Sequence, residues 1–139
     1  MLLKQSHVVI LIETTEGNKF GCYVSKEIAE VGKYVADSNA FVFKLEGGNI
    51  EKYPVIDMKN AIKICNAKDS NLLAIGNGDI IVKKKELKNN CSCKQVSFDY
   101  QGKKNVLIGR TGEFEVKSVV VLGTISDDEL MEFMKDIVN

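Results

Sequence analysis

Two closely spaced cysteines are the most conspicuous candidates for a reactive site in this 139-residue chain. Cys91 and Cys93 are separated by one residue, so an extended chain would point both thiols to the same side. Such a pair suits a metal ion or a redox-sensitive site. A structural zinc site needs four ligands, but the sequence has no second close pair of cysteines and a single histidine. We therefore predict no metal site and keep two alternatives, a redox-sensitive thiol or small packing residues.

Other catalytic arrangements have little support in the sequence. His7 is the only histidine, so an imidazole that activates a Ser or Cys would have to sit at the start of the first predicted strand. Several carboxylates fall near strand ends, where a general acid and base could pair, but their spacing selects no two of them. We predict no catalytic residue and no cofactor. The weakest alternative is an enzyme that uses these carboxylates: Asp57, Asp79, Asp99, Glu113 and Glu115.

Two short polar loops, residues 37–39 and 77–79, are better candidates for function, because binding residues on a β scaffold concentrate in loops. The first loop either caps a turn through its Asx side chains or faces a partner. The second lies in "GNGD", which resembles part of a phosphate loop but lacks its Lys-Ser/Thr and following helix, so a tight β-turn is the alternative. We predict partner contacts at six residues: Asp37, Ser38, Asn39, Asn77, Gly78 and Asp79.

Most of the chain is predicted to be β-strand. Short segments rich in β-branched and aromatic residues alternate with turn-forming Gly, Asn, Asp and Ser. "HVVILIE" and "KFGCYVS" should form a hairpin, and "NAFVFKLE" another strand. Pro54 removes a ladder donor and therefore indicates an edge strand or a strand start. The later predicted strands are "KYPVIDM", "AIKICNA", "NLLAIG", "DIIVKKK", "KQVSFDY", "KNVLIG" and "FEVKSVVVLGTI".

Two helices complete the predicted elements. Ser25 is a possible N-cap for "KEIAEVGKYVA", where apolar residues recur at intervals of three and four although Gly32 weakens the pattern. Ser126 and Glu129 form a capping box that opens a C-terminal helix at about 126–138. One face of that helix is apolar: Leu130, Phe133, Met134 and Ile137.

Together these elements predict a mainly β or α+β fold of two antiparallel sheets packed as a β-sandwich. The chain should form a single domain over 1–139, with a core of about 8–123. Its 19 basic and 19 acidic residues balance, so we do not expect nucleic acid as a partner. The longest apolar run, Val8 to Ile12, is too short to cross a bilayer, and no signal-peptide core is present. We expect a cytoplasmic, intracellular protein.

The segments "LIETTEGNKFGCYVS", "DSNAFVFKL", "LLAIGNGDIIV", "SFDY" and "GEFEVKSVVVLG", in this order, resemble the TLDc domain family, the module of the oxidation-resistance proteins. The resemblance runs from about Val8 to Gly123. Its aromatic residues Phe20, Phe41 and Phe43 are expected to face the core. The residues that carry the family pattern are Phe20, Gly21, Phe41, Phe43, Gly76 and Phe114.

The resemblance implies a β-sandwich with peripheral helices and a role in protection against oxidative stress. In several relatives it also implies binding to the vacuolar proton-pumping ATPase. Relatives generally have a helical segment before the first strand. In this sequence the first predicted strand begins almost at once. Many carry an acidic residue and, two positions later, a tryptophan, where this sequence has Val120 and Leu122. Our leading hypothesis is a non-catalytic TLDc-like protein-interaction domain, followed by a thiol-based redox sensor and then an enzyme.

Overall fold

A computed structural model describes residues 6–84 and 90–123. Within these ranges a 3₁₀ helix, η1 (Met58–Asn60), accompanies a series of strands. The strands are β1 (Val8–Thr14), β2 (Lys19–Val24), β3 (Tyr34–Val35), β4 (Phe41–Glu46), β5 (Asn49–Pro54), β6 (Ile62–Ile64), β7 (Asn71–Ile75), β8 (Ile80–Lys83), β9 (Cys91–Cys93), β10 (Gly112–Phe114) and β11 (Val116–Leu122).

The strands form two antiparallel sheets. The first has five strands in the order β11-β1-β2-β4-β5, and the second has six in the order β10-β9-β8-β7-β6-β3. The predicted hairpin is β1 and β2, with Ile12 opposite Phe20. β5 is an edge strand that ends at Pro54, as the missing ladder donor indicated.

The main core lies between the two sheets. Ile10 and Phe20 from the five-stranded sheet share one buried cluster with Ile75 and Phe114 from the six-stranded sheet. The rings of Phe20 and Phe114 meet edge to face, with their centroids 5.4 Å apart. The predicted β-sandwich and the core-facing position of Phe20 are therefore confirmed.

A second apolar cluster lies on the other face of the five-stranded sheet, and it corrects the prediction for two aromatic residues. Along β4, Val42 belongs to the main core, so the alternation of side chains turns Phe41 and Phe43 to the outer face. The Phe43 ring lies against Gly21, within 3.0 Å of where a Cβ would stand. Phe41 and Phe43 are thus not part of the core between the sheets.

The internal helix predicted for residues 26–36 is wrong. The backbone amide of Gly32 donates to the carbonyl of Ile64 at 2.7 Å, and its φ of +83° lies outside the helical region. Shortly afterwards Tyr34 and Val35 pair with β6 as β3. The spacing of apolar residues was compatible with a helix, but a loop that buries Ile28 in the main core satisfies it equally well.

Two predicted strands, "KQVSFDY" and "KNVLIG", are also wrong. Residues 94–100 form an irregular segment in which Phe98 makes one isolated bridge to Val55. Residues 104–109 form a turn, in which Asn105 has a positive φ and its carbonyl accepts from the amide of Gly109 at 3.1 Å. Bonds to other parts of the chain override local β propensity in both segments: the amide of Ser97 donates to Asp79 at 3.0 Å, and Lys44 Nζ donates to the carbonyl of Leu107 at 2.6 Å.

Helices are scarce in the described part of the chain. The C-terminal helix predicted at about 126–138 lies outside the described residues. Within 6–84 and 90–123, no helix has the length and apolar character needed to cross a membrane.

Candidate interaction surface

The two polar loops selected from the sequence lie against the same segment, residues 56–60, which includes η1. The backbone amide of Asp37 donates to the carbonyl of Met58 at 2.8 Å. The side-chain amide of Asn77 donates to the Asp57 carboxylate at 2.5 Å. The fold therefore brings together two loops that are about 40 residues apart in the chain.

Asp79 is fully buried and organises the irregular segment that follows β9. Its carboxylate accepts hydrogen bonds from the amides of Val96 and Ser97, both at 3.0 Å, and from the Tyr100 hydroxyl at 2.8 Å. Burial, followed by the adjacent Asp79 charge, raises the pKa of Tyr100 well above its ordinary value. The prediction that Asp79 is an exposed partner contact is wrong, because the residue is a buried acceptor.

Asp37 has the same kind of role in the first loop. Its carboxylate accepts from the amide of Ser25 at 2.5 Å, from the Ser25 hydroxyl at 2.8 Å and from the amide of Asn39 at 2.9 Å. The last bond is the Asx turn that the sequence offered as one alternative. Asp37 is buried, contrary to the exposed position predicted for it, whereas Ser38 and Asn39 are exposed.

The segment "GNGD" is the tight turn between β7 and β8, as the alternative to a phosphate loop predicted. Gly76 and Gly78 have φ values of +66° and +94°, which glycine adopts without strain. A Cβ on Gly76 would lie 2.5 Å from the Asp79 carboxylate, so the packing also requires glycine there. Asn77 is exposed at the turn, and its amide donates to the Ser97 hydroxyl at 2.8 Å.

Three exposed apolar side chains beside these loops escaped the sequence analysis. Ile56, Met58 and Val96 are 62%, 52% and 54% exposed. The amide of Ile56 donates to the carbonyl of Ser97 at 2.8 Å. The segment that carries Ile56 and Met58 therefore runs directly beside the segment that carries Val96. We call the exposed patch that they form with two polar neighbours the η1 surface: Ile56, Asp57, Met58, Asn77 and Val96.

The thiols are poorly placed for redox chemistry. All four cysteines are free, and Cys22, Cys91 and Cys93 are buried while Cys65 is partly exposed. Burial raises the pKa of Cys93 to about 12 and also raises the pKa of Cys91. Because the thiolate is the reactive form, these thiols are almost entirely in the unreactive state at neutral pH. The structure favours the alternative that Cys91 and Cys93 are packing residues.

We expect a thiol reagent to modify Cys65 before the other three cysteines in the native protein, because only Cys65 among them is partly exposed. Mass spectrometry after timed exposure to iodoacetamide would measure this order, and the same reaction in urea would show that all four can be labelled. Modification of Cys91 or Cys93 as fast as Cys65 would contradict the expectation and would favour the redox sensor.

The remaining candidates for catalysis form hydrogen bonds with different residues. Asp99 accepts from the amide of Gln101 at 2.9 Å, and Glu113 accepts from the Asn90 side chain at 2.9 Å; both carboxylates are exposed. His7 Nδ1 lies 2.8 Å from the Tyr23 hydroxyl. Among the residues the structure describes, no three His, Cys, Asp or Glu side chains converge as metal ligands. The η1 surface itself presents exposed apolar side chains and hydrogen-bonding groups.

Comparison with known proteins agrees with this architecture. The family model of the TLDc domain matches residues 1–121. No curated protein matches the chain. The matched residues include both polar loops, the η1 surface and all but the last residue of β11. The chain therefore belongs to the TLDc domain family.

Proposed function

We propose that this TLDc domain is a non-catalytic protein-interaction domain that binds a protein partner through its η1 surface. The observation that carries the proposal is the exposure of three large apolar side chains, Ile56, Met58 and Val96, around polar residues at one site. Clustered exposed apolar residues are typical of interaction sites. The buried carboxylates of Asp37 and Asp79 accept several hydrogen bonds each and hold the two loops beside this surface in place.

The chemistry of the η1 surface favours a protein over a small polar ligand. Protein interfaces combine an apolar centre with a hydrogen-bonding margin, and here the apolar side chains lie beside Asp57 and Asn77. The polar residues are held in advance: Asp57 also accepts from the Asn60 side chain at 2.9 Å, and Ser97 holds the amide of Asn77. A surface fixed in this way loses less conformational entropy on binding.

Family membership supports a role in protection against oxidative stress. We propose that the protein acts in the cytoplasm and that the vacuolar proton-pumping ATPase is the first partner to test. The η1 surface follows β5, at one edge of the five-stranded sheet. Val120, where many relatives carry an acidic residue, lies on β11 at the opposite edge and is 41% exposed. Binding through the η1 surface would therefore not depend on that acidic position.

We expect Met58→Asp and Val96→Asp, made in the full chain, each to weaken partner binding at least tenfold, because each puts a charge into an apolar contact that must lose water. Binding to the purified vacuolar ATPase would be measured by biolayer interferometry, and specific cellular partners by quantitative affinity purification. Leu72→Asp is the matched control, since Leu72 is 45% exposed near the start of β7, at the opposite end of that strand from the turn that carries Asn77.

Two results would test the binding surface and the identity of the partner separately. Unchanged binding of every partner by both η1 variants, or equal loss with Leu72→Asp, would overturn the η1 surface as the binding site. Failure to bind the ATPase, together with η1-dependent binding of another protein, would remove the ATPase and leave the interaction domain standing. Circular dichroism of each variant would verify that it is folded.

A further inference from the structure

The outer face of the five-stranded sheet carries a buried apolar cluster at its centre. Val9 and Phe43 are fully buried there, and Tyr23 and Leu45 are nearly so. Side chains on a sheet face that meets water keep their tips exposed, so complete burial requires a covering layer. The apolar members of this cluster all come from the strands of the sheet itself: Val9, Leu11, Tyr23, Phe41, Phe43, Leu45, Ile50 and Leu122.

The described loops do not supply this layer with apolar residues. Ile28, Ala61 and Leu107, which lie in loops or turns, belong to the main core between the sheets. Phe43 packs over Gly21, and Val9 lies between its pairing partners Tyr23 and Leu122. The described apolar residues of this cluster all belong to the sheet, so an apolar layer over the face is not among them.

We propose that this outer face is the docking surface for the chain's own C-terminal segment, residues 124–139. That segment starts two residues after Leu122, which is a member of the outer cluster and pairs with Val9. The chain therefore leaves β11 at the edge of the very face that needs a cover. Five strands spaced about 4.8 Å apart span about 19 Å, and a helix of about 12 residues is about 18 Å long.

The composition of the C-terminal segment matches the face. Its apolar residues recur with helical spacing, which gives one side that can pack on a sheet. The segment is also acidic, with five Asp or Glu and one Lys in "DDELMEFMKD". Basic side chains flank the outer cluster: by strand alternation Lys19 and Lys52 point to this face, and Lys52 Nζ lies 5.1 Å from the Phe41 ring. By the same alternation Glu13 lies on this face, where its carboxylate is 3.7 Å from Lys117 Nζ, so the face carries more basic than acidic side chains and suits an acidic segment.

Photo-crosslinking in the full-length protein tests this docking directly. With p-benzoylphenylalanine in place of Phe133, we expect crosslinks to peptides of β1, β2, β4 or β5 at the mass of a monomer. The same probe in place of Glu132, on the polar side of the predicted helix, should give at least tenfold less of these products. Crosslinks at dimer mass would assign the face to a second copy, and crosslinks to residues 1–5 or to another surface would also overturn the proposal.

A pair of ordinary substitutions gives an independent measurement. Phe133→Asp should lower the melting temperature by roughly 5 °C or more and increase binding of the dye ANS, because it exposes the outer cluster. Glu132→Ala should change neither. Equal behaviour of the two variants would overturn the proposal, whatever the crosslinking yield.

Discussion

Asp79→Ala should lower the free energy of unfolding by about 3–5 kcal/mol, because it removes the acceptor of several buried donors at once. The amides of Val96 and Ser97 and the hydroxyl of Tyr100 would be left without this carboxylate in a site that excludes water. The hydroxyl of Ser97 also holds Asn77, so the loss should spread to the turn between β7 and β8. Urea unfolding followed by circular dichroism would measure the change.

Two further variants make this test specific. Asp99→Ala removes an exposed carboxylate that accepts from Gln101, and it should cost less than about 1 kcal/mol. Asp79→Asn keeps one acceptor oxygen but turns an amide group toward donors, so its cost should fall between those of the two alanine variants. If Asp79→Ala were no more destabilising than Asp99→Ala, the carboxylate would not be the organiser of residues 94–100.

Local sequence pattern predicted the strands well where alternation and turn chemistry agree. A run of β-branched residues in β1, alternating apolar residues in β2 and the turn "TTEGN" between them specify a hairpin without help from the rest of the chain. Residues 26–36 show the limit of such evidence, since their apolar spacing fits a helix. What excludes the helix is non-local: the amide of Gly32 bonds to Ile64, and the amide of Ser25 bonds to Asp37.

At the candidate site, too, the features that depend on neighbouring residues were predictable and those that depend on distant residues were not. Loop chemistry identified the turn at Asn77 and the Asx cap at Asp37 because both depend on neighbouring residues. The burial of Asp79 could not be predicted, because its donors lie 17 to 21 residues away on another segment. The exposure of Ile56 and Val96 was equally hidden, since it depends on where the two segments meet at Ser97.

Phe41 and Phe43 were wrongly predicted to face the core between the sheets because the five-stranded sheet is apolar on both of its faces. A β-sandwich has one inner face for each sheet, so apolar residues of a strand are normally assigned to that face. Here β4 is apolar on both faces: Val42 turns inward, and Phe43 turns outward onto Gly21. The register that decides between the two faces is set by pairing with β2, which lies outside β4 itself.

Gly21→Ala should be among the most destabilising single substitutions in this domain, with a cost of about 4 kcal/mol or more. A Cβ at this position would overlap the backbone carbonyl of Ile10 and would lie 3.0 Å from the ring of Phe43. The carbonyl belongs to the adjacent strand β1, so it cannot rotate away as a flexible side chain would. Relief requires β1 and β2 to separate in the middle of the sheet, where Leu11 pairs with Gly21.

Gly102→Ala is the matched control, because Gly102 has a φ of +75° but open space around its Cβ position. Its cost should be about 1–2 kcal/mol, which is the price of a left-handed conformation for an L-residue. Urea unfolding of both variants would separate steric overlap from backbone strain, and a Gly21→Ala protein too unstable to purify would agree with the larger cost. Equal stability of the two variants would show that β1 and β2 can adjust, and that Gly21 is not required for the close approach of these strands.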